Sequence, residues 1–592
     1  MAKSPTPPVS ADLPSWLKPL RRYLPILDWG LNYRSEDLVG DLMAGTIVAI
    51  VLIPQGMAYA MLAGLPPQVG LYASMVPMVL YTIFGTSRAL SVGPVAIDSL
   101  LVAVGLAPFA ALGSPDYIAL ALLLAFMVGL IEISMGLLRL GFVVNFLSYA
   151  VILGFTNAAV LVIGASQFKH LLGVRIPQSE GFADTVHNLI KAAPGTNGVT
   201  LGLGLASIAG LLFFSNVLPK LLKLRGVPTG WITPLSRSGP LVVVGGSIVL
   251  VAALGLHDHF GVAVVGDIPR GLPSLSAPPF SMAQAQALLP TAFVISFVAF
   301  MESISVAKSL ASKRRQRIDP NQELLGLGAA NLGAALTGGY PITGGVSRSV
   351  VNFTAGANTG LSALVTASLI ALVVAFFTPV LYSLPLATLA AVIFVAVSKL
   401  LDFQSLQRLW QVARMDAVTA VITFWAVLLI DIQTGILVGL AASIAFYLWR
   451  TSRPHMAEVG RVGNTEHFRN IKRHEVQTDE SVLAIRIDES LYFANTKYLE
   501  DYLMQAVANH PKAHTLLLIS AAINHIDGSA LDTLETLIDG LREAGITVYF
   551  SEIKGPVMDQ LQRAGFIDRI GGPDRVFLST HQAMQTLGGH PA

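Results

Sequence analysis

Two stretches decide how this chain reads: Ser91-Val92-Gly93-Pro94-Val95-Ala96 and Gly344-Gly345-Val346-Ser347-Arg348-Ser349. Each joins an extended Gly-rich run to a brief apolar piece, Val92 to Leu106 and Val346 to Thr354. Both pieces are shorter than the roughly 20 residues of helix that a bilayer's hydrocarbon core requires. Interrupted segments in matching positions of two halves point to a transporter site built from inverted repeats. Where two such helices begin near the midplane, each N-terminus offers unpaired backbone N–H groups and roughly half a positive charge, which suits an anion. Arg348 adds a full positive charge. Burying an arginine costs at least ~2.5 kcal/mol, so its place in a short Gly-flanked segment reads as functional rather than as a surface-loop residue.

The rest of the chain agrees with a membrane setting. Of 592 residues, 53% are hydrophobic and 12% charged, about half the charged share usual in a soluble globular protein, and 53 glycines favour close helix packing. Mean hydropathy is +0.64. That balance excludes a disordered chain and argues against a soluble enzyme. The formal net charge of +2 carries no nucleic-acid signal, and the lack of cysteine excludes disulfides, thiolate catalysis and Cys-based zinc sites.

Full-length apolar segments are expected near Leu42–Leu62, Leu71–Phe84, Ile118–Leu138, Phe142–Ile163, Gly198–Leu218, Leu241–Leu256, Ala287–Leu310, Glu323–Leu336, Leu361–Phe377, Leu386–Val397, Ala417–Ile430 and Gly435–Trp449. With the two short pieces as half-helices the count is fourteen. Lys and Arg gather on the cytoplasmic side of membrane proteins. With the N-terminus inside, that side collects Arg88, Arg139, Lys220, Lys223, Arg225, the Lys313–Arg317 run, Lys399, Arg408, Arg414, Arg450 and Arg453. Lys169, Arg175, Lys191 and Arg270 depart from this, in longer external loops where the rule is weaker. Residues 1–40 read as a cytoplasmic N-terminal segment whose Trp16–Trp29 stretch could lie along the membrane surface. Nothing there reads as a signal peptide. Residues 41–450 form the transmembrane transport domain and 451–466 a linker. From 467 to 592, short strand and helix patterns alternate, so an α/β domain on the cytoplasmic side is expected.

Four carboxylates need an account. Glu302 lies well inside a segment, where burial disfavours its charge and makes it a candidate proton carrier; the alternative is a structural carboxylate bonded to Ser305 or a neighbouring helix. Asp98 either caps the dipole of its short helix or binds a proton or sodium ion. Glu132, like Asp431, reads as an interface or packing residue. Gln55, beside Pro54 at a break in the first segment, offers a neutral donor to the same cavity. The substrate-binding candidates are Gln55, Gly93, Ala96, Val346, Ser347 and Arg348, and the coupling candidates are Glu302 and Asp98. His170, His187, His257 and His259 fall in loops, so no convergent cluster for an enzyme or a metal site stands out, and no cofactor is implied.

The motifs in their order resemble the SulP anion permeases, a family of sulfate transporters and related anion carriers. Pro67-Gln68-Val69-Gly70-Leu71-Tyr72-Ala73-Ser74 with Gly85-Thr86-Ser87-Arg88 looks like the family signature, with Val69 a departure from the usual tyrosine. Ile53–Ala60, Ser91–Pro94, Glu302-Ser303-Ile304 and Ser347-Arg348-Ser349 also fall in family order, and the likeness runs from about Leu24 to Leu587. The resemblance implies a polytopic α-helical membrane protein with a seven-plus-seven inverted repeat, a core moving against a gate, and a homodimer. It places the anion between the third and tenth segments and makes Glu302 the proton-coupling acid of sulfate symporters. Asp98 stands where a small or apolar residue is usual, which leaves sodium-coupled bicarbonate transport, dicarboxylate transport or anion exchange open beside proton-coupled sulfate uptake.

Past Phe468 the chain looks like a STAS domain, for which a cytoplasmic protein or a nucleotide is a candidate partner. Ser529, in Ile526-Asp527-Gly528-Ser529, occupies the loop where bacterial relatives carry a phosphorylatable serine; Asp527 or Ser529 could equally cap the following helix. The expected setting is the inner (plasma) membrane, multi-pass, with both termini cytoplasmic.

Overall fold

The apolar runs become helices because in hydrocarbon every backbone N–H and C=O must be bonded within its own segment. A computed structural model describes residues 23–142, 148–177 and 181–588; the expected interfacial stretch lies outside these as far as residue 22. The chain divides into two compact units, one reaching Ser443 and the other starting at Ile444. The first unit contains α1 (Ser35–Leu62), α2 (Pro67–Tyr72), α3 (Val76–Phe84), β1 (Val92–Gly93), α4 (Ala96–Leu106), α5 (Pro115–Leu137), α6 (Tyr149–Leu172), α7 (Phe182–Ala192), α8 (Gly198–Leu212) and α9 (Gly239–Leu254). It continues with α10 (Met282–Lys313), α11 (Pro320–Leu336), β2 (Thr343–Gly344), α12 (Val346–Thr354), α13 (Leu361–Leu372), α14 (Leu386–Ser398), α15 (Phe403–Val412) and α16 (Arg414–Leu429), and α17 (Ile432–Thr451) passes into the second. Among the described residues, nine helical stretches are long and apolar enough to cross a membrane, and Ala96–Leu106 and Gly239–Leu254 are shorter apolar helices.

Two buried carboxylates tie the helices around the short segments. Asp41, on α1, accepts from the N–H of Asn358 at 2.7 Å, the N–H of Thr359 at 3.0 Å and the Thr359 hydroxyl at 2.6 Å. It thereby holds the turn between α12 and α13. Glu323, at the start of α11, accepts from Tyr81 Oη at 2.6 Å, Thr86 N at 2.7 Å, Thr86 Oγ1 at 2.5 Å and Ser87 N at 3.0 Å. It holds the run that leads into β1. A buried carboxylate with this many donors is satisfied, and its role is structural.

The second unit carries a six-stranded sheet in the order β4-β3-β5-β6-β7-β8. Its strands are β3 (Met456–Arg461), β4 (Phe468–Asn470), β5 (Val482–Ile487), β6 (Thr515–Ile519), β7 (Thr547–Ser551) and β8 (Val576–Phe577). Strands β5 to β8 run parallel, and β3 is antiparallel to both β4 and β5. The helices are α18 (Thr496–Asn509), α19 (Gly528–Glu543), α20 (Gly555–Arg563) and α21 (Thr580–Leu587). Strand periodicity sorts the core: Leu483, Ile485 and Ile487 join the cluster with α18 and α19, whereas Val482 and Ala484 join the one with Ala583 of α21. Residues 451–466, expected as a linker, contain β3, whose register with β5 runs Met456↔Ile487 to Glu458↔Ile485.

Removing Glu323 leaves four donors around Tyr81, Thr86 and Ser87 without their acceptor, three of them on the approach to β1. Glu323→Ala is expected to destabilise the fold by about 3 kcal/mol or more, since each buried unsatisfied donor costs about 1–3 kcal/mol. Thermal melting of the detergent-solubilised full chain should show the fall against wild type.

Candidate functional site

The two short helices are brought together by a two-stranded antiparallel ribbon, with Val92 opposite Gly344 and Gly93 opposite Thr343. The N–H of Ser91 donates to Ser349 Oγ at 2.8 Å and the N–H of Gly345 to the Ser91 carbonyl at 3.0 Å, so the junctions before both helices lock onto each other. Ser303 of α10 extends the clasp by accepting from Gly344 N at 2.8 Å, and Thr343 Oγ1 donates to the Ala299 carbonyl at 2.7 Å. Neither α4, entered through Val95, nor α12, entered through Gly345, has a side-chain N-cap. The opening N–H groups of both helices are therefore left to other partners.

Arg348 sits in the first turn of α12 and is 2% exposed. Its Nη1 donates to the Pro94 carbonyl at 2.6 Å, across the ribbon. Nε and Nη2 are buried with no acceptor. Adjacent guanidinium N–H groups form a fork that matches two oxygens of a carboxylate or an oxyanion. Two glycines make room for it: a Cβ on Gly345 would lie 2.9 Å from Arg348 Cζ, and Gly93, at a backbone φ of +154° that side chains rarely adopt, faces Arg348 Nη2.

The acidic residues converge on the same place. Glu302 interacts electrostatically with Arg348, and so does Tyr59 of α1. Asp98 interacts with both Glu302 and Glu132. Asp98 is fully buried and neither of its carboxylate oxygens has a partner. Glu302 Oε2 and Glu132 Oε1 are likewise buried and unpartnered. Glu132 Oε2 accepts from Asn331 Nδ2 at 2.8 Å. Tyr340 completes the surroundings, its hydroxyl 2.8 Å from that of Ser99 on α4.

Of the residues singled out in the sequence, Gly93, Ala96, Asp98 and Arg348 are buried around the ribbon and the two helix starts, and Gln55 is buried on α1. Val346 and Ser347 are exposed on the first turn of α12. Asp98 lies in the first turn of α4, whose N-cap position is Val95, and its carboxylate makes no hydrogen bond there. Glu302 does not bond Ser305, whose hydroxyl donates to the Met301 carbonyl at 2.7 Å. Asp431 has the plain role expected of it, accepting from Thr434 N at 2.9 Å at the start of α17. Glu132, expected as an interface or packing residue, is fully buried within α5 and bonded to Asn331 of the neighbouring α11. Tyr59, Ser303 and Asn331 were not singled out as site residues, because polar residues inside apolar helices carry no periodic signal, and neither was Tyr340, in the extended run before β2. In the second unit Asp527 caps α19 by accepting from Ala530 N at 2.8 Å, and Ser529 is exposed in that first turn.

A separate cavity of about 260 Å³ runs along the C-terminal half of α4, where Leu100, Ala103 and Ala107 meet Gln167, Lys169 and His170 of α6. Arg348 does not line it. The unpaired polar atoms of Asp98, Glu302 and Arg348 gather instead around the other end of α4. Among the described residues, no three His, Asp or Glu side chains are grouped so as to hold a metal ion.

Paired broken segments joined by a ribbon, a buried cation at their helix starts, and an appended mixed-sheet domain define a membrane-embedded helical transport fold with a STAS domain. A model of the Sulfate permease family matches residues 38–423 and one of the STAS domain matches residues 473–583. The chain belongs to the sulfate permease family. It is 38% identical to "Probable sulfate transporter 4.2" of Arabidopsis thaliana, over 95% of this chain and 83% of that one. It is also 38% identical to "Sulfate transporter 4.1, chloroplastic" of the same plant, over 97% and 83%. The fold is shared with the murine Solute Carrier 26 family member A9 anion transporter in its inward-facing state, with a TM-score of 0.86 and 24% identity over 98% of this chain and 96% of that one.

The unpaired fork makes a prediction about stability and binding together. Arg348→Met removes a buried cation with unsatisfied donors, a change that is often neutral or stabilising. The variant's Tm is expected to stay within a few degrees of wild type, while the rise in Tm that a saturating divalent oxyanion gives to the wild type disappears. Differential scanning fluorimetry with and without sulfate checks both.

Proposed function

We propose that this protein is a secondary transporter that takes sulfate into the cell together with protons, by alternating access around the two short helices. The observation that carries the reading is the buried Arg348 fork, with Nε and Nη2 lacking acceptors between two helix starts without side-chain caps. Arginine supplies one positive charge and the helix N-termini roughly half a charge each, a total of about +2 that matches a divalent oxyanion. Gln55, Gly93, Ala96, Val346, Ser347 and Arg348 are the binding residues in this reading.

Glu302 supplies the coupling. Ionised, it offsets Arg348 and lowers the site's attraction for a dianion; protonated, it restores that attraction. Proton and sulfate therefore bind with positive linkage, each raising the other's affinity by the same factor. The energetics call for such a partner, since carrying two negative charges inward against 100 mV, inside negative, costs ~4.6 kcal/mol. The reading takes a proton rather than sodium as the coupling ion, because a carboxylate oxygen buried without donors is favoured in its neutral, protonated form.

The same proposal includes a seven-plus-seven inverted repeat, a homodimer, no enzymatic activity, cytoplasmic termini and the plasma membrane. Helix partnerships support the repeat: α1 packs on α12 and α13 as α10 packs on α4 and α5, and α8 packs on α14 as α16 packs on α6. Ser529 remains a candidate phosphorylation site.

Purified protein in liposomes tests the function. An inward proton gradient should drive uptake of labelled sulfate, and sulfate affinity at acidic against alkaline pH should differ by about tenfold, within the usual range for linked sites. Glu302→Gln should bind sulfate with less than about twofold dependence on pH and lose the stimulation of its initial rate. Sodium-driven bicarbonate uptake without sulfate uptake would instead select the sodium-coupled alternative on the same fold.

A further inference from the structure

Glu132 has no part in the site as described so far, yet it is fully buried with one oxygen unpartnered, and Asp98, also fully buried, has two. An ionised carboxylate buried without donors is far more costly than a neutral one. The three acids form an ordered series. Glu302 interacts with Arg348, Asp98 with Glu302 and Glu132, and Glu132 is bonded to Asn331. One guanidinium faces three carboxylates, so the fully ionised cluster would carry a net charge of −2 where a dianion has to enter.

Among the described residues, Tyr59 reaches Arg348 and Glu302 from α1, Tyr340 reaches Asp98 and Arg348 from the run before β2, and Arg348 is the cation that acts on the cluster. Asn331, the neighbour on α11, does not titrate, so nothing beside Glu132 can neutralise it except a proton.

Asn331 also gives Glu132 a mechanical connection. The Nδ2 that donates to Glu132 Oε2 lies 3.2 Å from the Ile342 carbonyl, and Asn331 Oδ1 accepts from Ile342 N at 2.9 Å. Ile342 immediately precedes β2, the strand that leads into α12 and Arg348. The protonation state of Glu132 thus bears on the residue that anchors the second half of the anion site.

We propose that Asp98 and Glu132 form a second proton-binding pair behind Glu302, so that each divalent anion is carried with two protons and the cycle moves no net charge. Glu302 takes the proton that admits the anion. The Asp98–Glu132 pair takes the second on one of its oxygens that lack donors, and passes it through Asp98 to Glu302 for release. No bond other than O–H forms or breaks. This inference rests on the sulfate–proton reading above and adds a site and a stoichiometry to it.

The test is the equilibrium accumulation of labelled sulfate in proteoliposomes holding the full chain. The pH gradient is one unit and the membrane potential is set by potassium and valinomycin. Each co-transported proton multiplies the accumulation ratio by about ten per pH unit, so two protons give about a hundredfold at zero potential. That ratio should not change when the interior is made negative. Glu132→Gln, which keeps an acceptor for Asn331, should fall to about tenfold and become sensitive to potential. Asp98→Asn should do the same, and serves if the first variant does not fold.

A wild-type ratio of about tenfold that varies with potential would overturn the second site while leaving sulfate–proton symport intact. A Glu132→Gln protein that retains the wild-type ratio would overturn the assignment of Glu132. If the wild type shows no proton-driven sulfate accumulation at all, the underlying reading fails, and the second site with it.

Discussion

The structure of the membrane unit depends on one contact, the antiparallel pairing of Val92–Gly93 with Thr343–Gly344. Two helices too short to cross a bilayer leave backbone groups unbonded where no water can satisfy them. The ribbon bonds the extended residues to each other, the Ser91–Ser349 and Gly345–Ser91 bonds close its ends, and the two helix starts remain as the open polar groups. A polar, cation-bearing site inside an apolar unit is thereby created without exposing backbone to lipid.

The surrounding helices hold that contact in place. Asp41 and Glu323 each fasten a turn on one of the two broken segments to a helix from the other half of the chain. Both are saturated with donors. Asp98, Glu132 and Glu302, in contrast, keep oxygens without partners. The same residue type is therefore saturated with donors in one place and left short of them in another, and the donor count separates the two groups.

Much of this was legible in the sequence. Apolar length marked the helices, Gly-rich interruption marked the broken segments, and Arg348 and Glu302 stood out because charge is expensive at membrane depth. The second unit was readable in part from strand alternation, as in Val482–Ile487, which left unread the short Phe468–Asn470 and Val576–Phe577 and the longer Met456–Arg461. That strand lies in a mixed-charge stretch just past the last apolar helix, and its pairing with β5 is a long-range choice that local pattern does not encode. The enclosure of Glu132 is a similar long-range outcome. The residue lies only five residues before the end of α5, where a charge ordinarily reaches water, and only the packing of α11 against that helix encloses it.

The sequence by itself determined which segments enter the membrane, which of them are broken, and that one arginine stands beside a helix start. These follow from the free energy of moving side chains and backbone out of water, a property of local composition. Tertiary structure alone decided that residues 254 positions apart would meet, that Arg348 would spend one donor on Pro94 and keep Nε and Nη2 unpaired, and that Glu132 would join the acids at Asp98. Those outcomes depend on which buried groups find partners, and partners at such separations are assigned only when the helices pack.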